Sequence, residues 1–143
     1  ELQPNRDRME EQVIHYCVAH GIPIIATCRG MQYINVMFGG KLWYHPKLPV
    51  NRTRGVDHQV WLVKEQRNIW VNNYHSDCIY EEGLASCFEP LAIDRENHVV
   101  EAYGSDEMKI LALQWHPERR FETANAYEET RKIILDFIQK YVK

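Results

Sequence analysis

Cys28 is the side chain in this sequence that is best placed to act as a nucleophile. An apolar run over residues 22–27 predicts a buried strand, and Met31, Ile34 and Phe38 then recur at the spacing of a helix. Cys28 would therefore lie at the corner between strand and helix, where free backbone N–H groups at the helix start can stabilise an anion. Such a corner favours the thiolate, which is the reactive form of cysteine. The stretch alone also allows a buried cysteine that simply ends a core strand.

His116 and Glu118 form the second group of side chains that could take part in chemistry. They follow the apolar run 110–115, and residues two apart in an extended segment point to the same side. A carboxylate beside an imidazole fixes the tautomer of the ring, and such an imidazole can take the proton from a thiol. Cys28, His116 and Glu118 would then be nucleophile, base and orienting carboxylate. Taken singly, His116 is more often a structural histidine.

Length, composition and cysteine usage indicate one folded domain in a reducing compartment. The chain has 143 residues, of which 45% are hydrophobic, enough for a core of its own. A formal net charge of -3, without a long run of either sign, gives no indication of nucleic acid or a membrane as a partner. No apolar stretch approaches the roughly 20 residues of a bilayer-spanning helix, and the first residues do not resemble a signal peptide. The four cysteines form no Cys-x-x-Cys pair, which favours free thiols. These features predict a cytoplasmic protein.

A strand between two helices positions Cys28. Asp7 and Glu10 have the spacing of a capping box, and the helix that they open would end near Gly21. The strand 22–27 follows, and the second helix would end at the glycine pair 39–40. This order is typical of a parallel sheet that is covered by helices on both faces.

Short strands dominate the remainder of the chain. A long loop is predicted over 41–57, and the last helix would start at Asn125 with Glu128 as its capping partner. Strands are predicted at 58–63, 68–71, 91–93, 98–102 and 110–115.

The two motifs together resemble a known family. ATCRGMQ at 26–32 and QWHPE at 114–118 are similar to the corresponding motifs of class I glutamine amidotransferases, nearest to their stand-alone gamma-glutamyl hydrolase branch, peptidase C26. Further matches are Arg6, Asp7 and Glu10, the segment VNNYH at 71–75, and Asp94 with VEA at 100–102.

The resemblance implies a hydrolase that works through a cysteine thioester. Cys28 would attack the side-chain amide of a gamma-glutamyl group, His116 would pass the proton to the leaving nitrogen, and Glu118 would orient His116. Water would then release glutamate. The backbone N–H of Arg29 would supply half of an oxyanion hole. Gln32 would contact the glutamyl group, although it could merely satisfy backbone near the helix start.

The resemblance also implies a substrate mouth around residues 73–75. Asn73, Tyr74 and His75 would bind substrate, and His75 would recognise the amine half of the substrate. The alternative is a polar loop that does not contact substrate. His45 and His58 also match histidines of the family and are interpreted as structural.

The narrower substrate suggested by the resemblance is a phosphoramidate. Lys47, Arg52 and Arg54 could meet phosphates, which would suit gamma-glutamyl-CDP-amidate, a compound of capsular polysaccharide modification. A basic loop of this kind is more often simply solvated.

The fold implied by the resemblance is α/β, a flavodoxin-like three-layer sandwich with a mostly parallel central sheet. Residues 1–143 would be the C-terminal portion of a class I glutamine amidotransferase-like domain. An N-terminal segment would then supply the first strands and the second oxyanion donor, and would pack beside strand 22–27, whose edge is otherwise unpaired. The substrate would be a small molecule, no cofactor or metal is implied, and a homodimer is left open.

Two other functions remain open at this level. One is a glutaminase subunit that delivers ammonia to a synthetase, which would require a docking surface for that partner. The other is a non-catalytic relic that binds a partner or glutamate, against which Cys28, His116 and Glu118 argue because all three are present.

Overall fold

Three helices and seven strands form the part of the chain that the computed structural model describes, residues 4–44, 46 and 53–142. His45, Lys47 and Arg52 lie outside these ranges. Over the described residues, no helix combines the length and apolar character that crossing a bilayer requires. In chain order the elements are α1 (Pro4–Ala19), β1 (Ile24–Thr27), α2 (Arg29–Met37), β2 (His58–Leu62), β3 (Arg67–Val71), β4 (Ile79–Tyr80), a 3-10 turn (Glu81–Gly83), β5 (Glu89–Asp94), β6 (Val99–Ser105), β7 (Ile110–Leu113) and α3 (Ala126–Tyr141).

The strands form one mixed sheet in the order β1-β7-β6-β5-β2-β3, with β4 also paired to β6. Only β1 and β7 run parallel; every other described pair is antiparallel. The predicted α/β class is confirmed, but the prediction of a mostly parallel sheet is wrong for the described residues. The reason is the length of the connections, because the short turns at 63–66, 95–98 and 106–109 can join only antiparallel neighbours, whereas a parallel pair needs a crossover of a dozen residues or more.

The core lies on both faces of this sheet, as three layers require. Ile110 and Ala112 belong to the cluster that packs under α1 and α2, whereas Leu111 and Leu113 belong to the cluster that includes Phe137 of α3. Successive residues of a strand point to opposite faces, so a continuous apolar run can serve two layers. The three-layer arrangement predicted from the sequence is therefore confirmed.

β1 lies at one edge of the sheet. Among the described residues its strand partner is β7 alone, in a register from Ile24 opposite Ile110 to Thr27 opposite Leu113. The other edge of β1 therefore presents backbone groups that no described strand binds. The additional segment expected there from the sequence remains a prediction.

Two capping interactions predicted from the sequence do not form. α1 begins at Pro4, a residue suited to a first turn, so Asp7 lies inside the helix and its carboxylate binds Arg29 instead. Asn125 does precede α3, but it has a φ of 66° and its side chain makes no capping hydrogen bond.

Candidate active site

Cys28 occupies a strained corner between β1 and α2. Its backbone has φ 49° and ψ −107°, an unusual conformation for a residue with a side chain. Two hydrogen bonds hold it there, from Cys28 N–H to the Leu113 carbonyl at 2.8 Å and from Gln32 N–H to the Cys28 carbonyl at 3.1 Å. The corner predicted from the sequence is thus present, and the thiol projects from a backbone that is fixed on both sides.

The side chain of Arg29 ties this corner to α1. Its guanidinium donates to Glu10 Oε2 at 2.9 Å and also binds Asp7 Oδ1. The backbone N–H of Arg29 donates toward the Cys28 thiol. The side chain of Arg29 is thus bound to α1, while its backbone N–H faces the sulfur.

His116 and Glu118 lie side by side, as predicted. His116 Nδ1 is 2.9 Å from Glu118 Oε2, and the His116 side chain is 15% exposed, against 63% for Glu118. Partial burial opposes ionisation of Glu118, but its own backbone N–H and the His116 ring together lower the pKa of the carboxyl. Glu118 is therefore an anion over the neutral pH range and can fix the imidazole with Nε2 directed away from it.

Cys28 and His116 both line one open cleft of about 490 Å³, most of whose lining residues belong to α1 and β1. The topology explains this juxtaposition. β1 and β7 are parallel neighbours, with Thr27 opposite Leu113, so the residues that follow their carboxyl ends emerge at one edge of the sheet. A thiol and an imidazole that are far apart in sequence are thereby brought to one site.

Burial raises the pKa of the Cys28 thiol above its ordinary value. The backbone N–H of Arg29 and the charge of Arg119 act in the opposite direction without reversing the effect of burial. The N–H of the corner does favour the thiolate, as expected from the sequence, but burial has the larger effect and the net pKa is raised. A neutral thiol needs a base at the moment of attack, which is a role that His116 could fill.

We expect Arg119→Gln to raise the pKa of this thiol further, because the substitution removes a positive charge that stabilises the thiolate. Alkylation of Cys28 by iodoacetamide should become slower at neutral pH, and its pH profile should move to higher pH. Peptide mass spectrometry can follow Cys28 separately from the other cysteines. Arg131→Gln, in the exposed Arg131–Glu128 pair on α3, is the matched control and should leave the profile in place. An unchanged profile in Arg119→Gln would contradict the expectation.

Asn72 fixes the backbone of His116, a contact that the sequence did not predict. Its Oδ1 accepts from His116 N–H at 3.0 Å, and its Nδ2 donates to the His116 carbonyl at 2.8 Å. Asn72 is fully buried and directly follows β3. The sequence feature that could have indicated a role for Asn72 is its place in the VNNYH segment, immediately after an apolar run.

Replacing Asn72 by alanine should lower kcat by about 10- to 100-fold, because a loosely held base is displaced from the thiol. KM should change little, since Asn72 contacts His116 and not the cleft. The variant should also lose stability, because His116 N–H loses its acceptor at about 1–3 kcal/mol, whereas the His116 carbonyl keeps the Arg119 N–H as a donor. Asn68→Ala, at an exposed asparagine of β3, is the control for kinetics and thermal unfolding. A folded Asn72→Ala variant with unchanged kcat would contradict the assignment.

Gln32 and Gln114 form a buried pair behind the thiol. Gln32 Nε2 donates to the Gln114 Oε1 at 3.0 Å and to the Asp77 carbonyl at 3.1 Å. Gln114 Nε2 lies 3.8 Å from Cys28 Sγ. Because the amide nitrogen of Gln32 is engaged by protein acceptors, its predicted contact with a glutamyl group would have to use the carboxamide oxygen.

Tyr74 is the predicted mouth residue that the structure brings to His116. The two rings meet edge to face, with centroids 6.0 Å apart. Asn73 is buried instead, and its Nδ2 donates to the Thr53 carbonyl at 3.2 Å. Asn73 therefore anchors the segment before β2, and its predicted contact with substrate remains a prediction.

His75 turns inward to a buried carboxylate. Its side chain is 3% exposed, with Nδ1 2.7 Å from the Asp77 carbonyl and Nε2 3.7 Å from Glu101 Oε2. His58 approaches the other oxygen of Glu101 at 3.6 Å. This placement does not support His75 as a reader of the leaving amine and favours a structural role, as predicted for His58. Glu101 could have been noticed as a charged residue inside an otherwise apolar strand.

No group of three or more histidine, cysteine, aspartate or glutamate side chains within the described ranges has the geometry to hold a metal ion.

Comparison with known proteins shows the family to which this chain belongs. The model of the peptidase C26 family matches residues 1–118. The chain is 31% identical to the glutamine amidotransferase-like protein YvdE of Lactococcus lactis, with 84% of this chain and 56% of that protein covered. It is 30% identical to the gamma-glutamyl-CDP-amidate hydrolase of Campylobacter jejuni, with 82% of this chain and 54% of that protein covered. The chain thus spans about half the length of these curated relatives.

A solved structure supports the fold. A glutamine amidotransferase from Thermotoga maritima superposes with a TM-score of 0.63 at 19% identity, covering 95% of this chain and 57% of that one. At this identity the likeness speaks for the fold alone, and it confirms the flavodoxin-like architecture.

Proposed function

Because this chain belongs to the peptidase C26 family, we propose that its protein hydrolyses gamma-glutamyl amides through a thioester on Cys28. The observation that carries the proposal is the shared cleft of Cys28 and His116, with Glu118 2.9 Å from the His116 ring. A nucleophile, a base and an orienting carboxylate are the parts that acyl transfer by a thiol requires.

In the first half of the reaction Cys28 Sγ attacks the side-chain carbonyl carbon of the glutamyl group. The thiol proton moves to His116 Nε2, because Nδ1 faces Glu118. The backbone N–H of Arg29 stabilises the oxyanion of the tetrahedral intermediate. When the intermediate collapses, the C–N bond breaks and His116 returns the proton to the departing amine, leaving the glutamyl thioester.

In the second half water replaces the amine. His116 takes a proton from the attacking water, the tetrahedral intermediate forms again at the same N–H, and the C–S bond breaks. The sulfur recovers its proton and glutamate leaves. The side chain of Arg29 takes no part, since Asp7 and Glu10 hold it.

The test is glutamate release by the full-length protein from a panel of gamma-glutamyl amides that includes glutamine. We expect release from at least one amide that carries a substituent on nitrogen. Release from glutamine alone, and only when a synthetase is added, would instead favour an ammonia-delivering subunit. No release from any member would leave a binding role and overturn the proposal.

The narrower form of the proposal is that the substrate is gamma-glutamyl-CDP-amidate, used in modification of capsular polysaccharide. The similarity to the Campylobacter jejuni hydrolase supports it, as does the exposed Arg54, whose Cζ lies 5.9 Å from the centroid of the Tyr74 ring that contacts His116. A kcat/KM for this compound well above that for simple gamma-glutamyl alkylamides is the expected result. Equal values would contradict the narrower form and leave the general one standing.

A further inference from the structure

Two arginines flank the Tyr74 ring beside His116. Arg54 Cζ lies 5.9 Å from the centroid of the Tyr74 ring and Arg119 Cζ lies 4.8 Å from it. The edge-to-face contact of Tyr74 with His116 places this group next to the proposed base. We call Arg54, Tyr74 and Arg119 the arginine clamp.

The backbone around the clamp is fixed by hydrogen bonds. Arg54 Nη1 donates to the Tyr74 carbonyl at 3.1 Å, and Gly55 N–H donates to the Asn73 carbonyl at 2.7 Å. On the other side Arg119 N–H donates to the His116 carbonyl at 3.1 Å. The Arg54 guanidinium is therefore held before any ligand binds, which lowers the entropy lost on binding, whereas for Arg119 the backbone is held.

Among the described residues no carboxylate forms a salt bridge with the clamp, although the charge of Arg119 acts on Glu118 and helps to lower the pKa of that carboxyl. Arg29 and Arg67 each bind acidic side chains, but within the described ranges neither Arg54 nor Arg119 forms an ion pair. The nearest acidic neighbour in sequence, Glu118, is hydrogen bonded to His116. Two exposed cations beside one ring repel each other, and an anion bound next to them would reduce that repulsion.

The clamp also acts on the reacting centre. Both Arg54 and Arg119 lower the pKa of the Cys28 thiol through their charge, so both lie within electrostatic range of the sulfur. Since the Tyr74 ring adjoins the His116 ring, the clamp lies beside the side chain that is proposed to protonate the leaving amine.

We propose that Arg54 and Arg119 bind a negative charge carried by the leaving-amine half of the substrate. The proposal rests on the proposed hydrolysis of gamma-glutamyl amides and names the substrate class of the same site. A carboxylate or a phosphate could supply the charge, because guanidinium groups bind both through charge-assisted hydrogen bonds. The clamp holds the anionic end while His116 protonates the nitrogen, so it contributes to binding and to orientation of the scissile bond.

The test uses the full-length protein and three gamma-glutamyl amides of matched length. Their amine halves end in a carboxylate, a phosphonate or a neutral carboxamide. The measured quantity is the ratio of kcat/KM for each anionic substrate to that for the neutral one. We expect this ratio to fall by about 10- to 100-fold in Arg119→Gln and in Arg54→Gln, the size expected for loss of a hydrogen bond to a charged group.

Two further variants separate specificity from structure. Arg131→Gln should leave the ratio unchanged, and Arg119→Lys should restore part of it because the positive charge returns. The preference in the wild-type protein should also weaken with added salt. Comparison of the carboxylate and phosphonate arms identifies which anion the clamp favours.

The outcomes distinguish this inference from the function on which it rests. Hydrolysis of all three substrates without preference for an anion, or an equal loss on all three in Arg119→Gln, would overturn the clamp and leave the hydrolase standing. Hydrolysis of no gamma-glutamyl amide at all would overturn both.

Discussion

Replacing Cys28 by alanine is expected to reduce glutamate release from gamma-glutamyl amides by at least about 10³-fold. The thioester cannot form without the sulfur, and neither His116 nor the backbone N–H of Arg29 can replace a covalent nucleophile. Glutamate release at saturating substrate is the measurement. Because the corner is formed by backbone contacts with Leu113 and Gln32, the variant should remain folded.

Cys87→Ala is the matched control for this experiment. Cys87 is exposed and does not line the cleft, so its loss should leave the rate within about twofold of wild type. A Cys28→Ala variant that keeps more than about a tenth of the wild-type rate would show that hydrolysis does not pass through this sulfur.

The second large effect is expected for His116→Ala. The raised pKa of the Cys28 thiol means that little thiolate exists at neutral pH, so removing the base should lower kcat by about 10²- to 10⁴-fold. The loss should be greatest at neutral pH and should become smaller as pH rises. The loss becomes smaller at higher pH because Cys28 is then deprotonated without help from His116, which restores the nucleophile.

The role of His116 as a base is therefore tested by measuring kcat as a function of pH in the wild-type protein and in His116→Ala. His98→Ala is the control, because His98 is exposed, pairs with Glu81 and does not line the cleft. It should reproduce the wild-type profile. A His116→Ala variant whose rate is depressed by the same factor at every pH would contradict the role of His116 as the base that activates Cys28.

Local patterns predicted the corner and the His–Glu pair because both depend on neighbouring residues. An apolar run followed by helical spacing places Cys28 on a turn, and an extended segment places His116 beside Glu118. The joining of the two motifs was implied by resemblance, and its physical basis is the parallel pairing of β1 with β7.

Contacts between residues distant in sequence could not be predicted in this way. Asn72 binds the backbone of a residue 44 positions later, and Arg29 binds carboxylates of α1 that the sequence indicated as helix caps. The pKa of Cys28 was misjudged for the same reason, since burial depends on the whole fold and outweighs the favourable backbone N–H.

The direction in which neighbouring strands pair also could not be predicted from each segment alone. Predicted strands were in nearly the right places, but their direction follows from the turns between them. His75 shows the same limit for a single side chain, because only the fold reveals that it points to the buried Glu101. The segment expected beside β1 remains a prediction.

The most direct test of the account is detection of the acyl-enzyme. The full-length protein is mixed with a gamma-glutamyl amide, quenched in acid and analysed by intact-mass and peptide mass spectrometry. We predict a mass increase of one glutamyl group on the peptide that contains Cys28, which is absent in Cys28→Ala and decays as glutamate appears. Glutamyl transfer to a different residue, or glutamate release that continues undiminished in Cys28→Ala, would contradict the account.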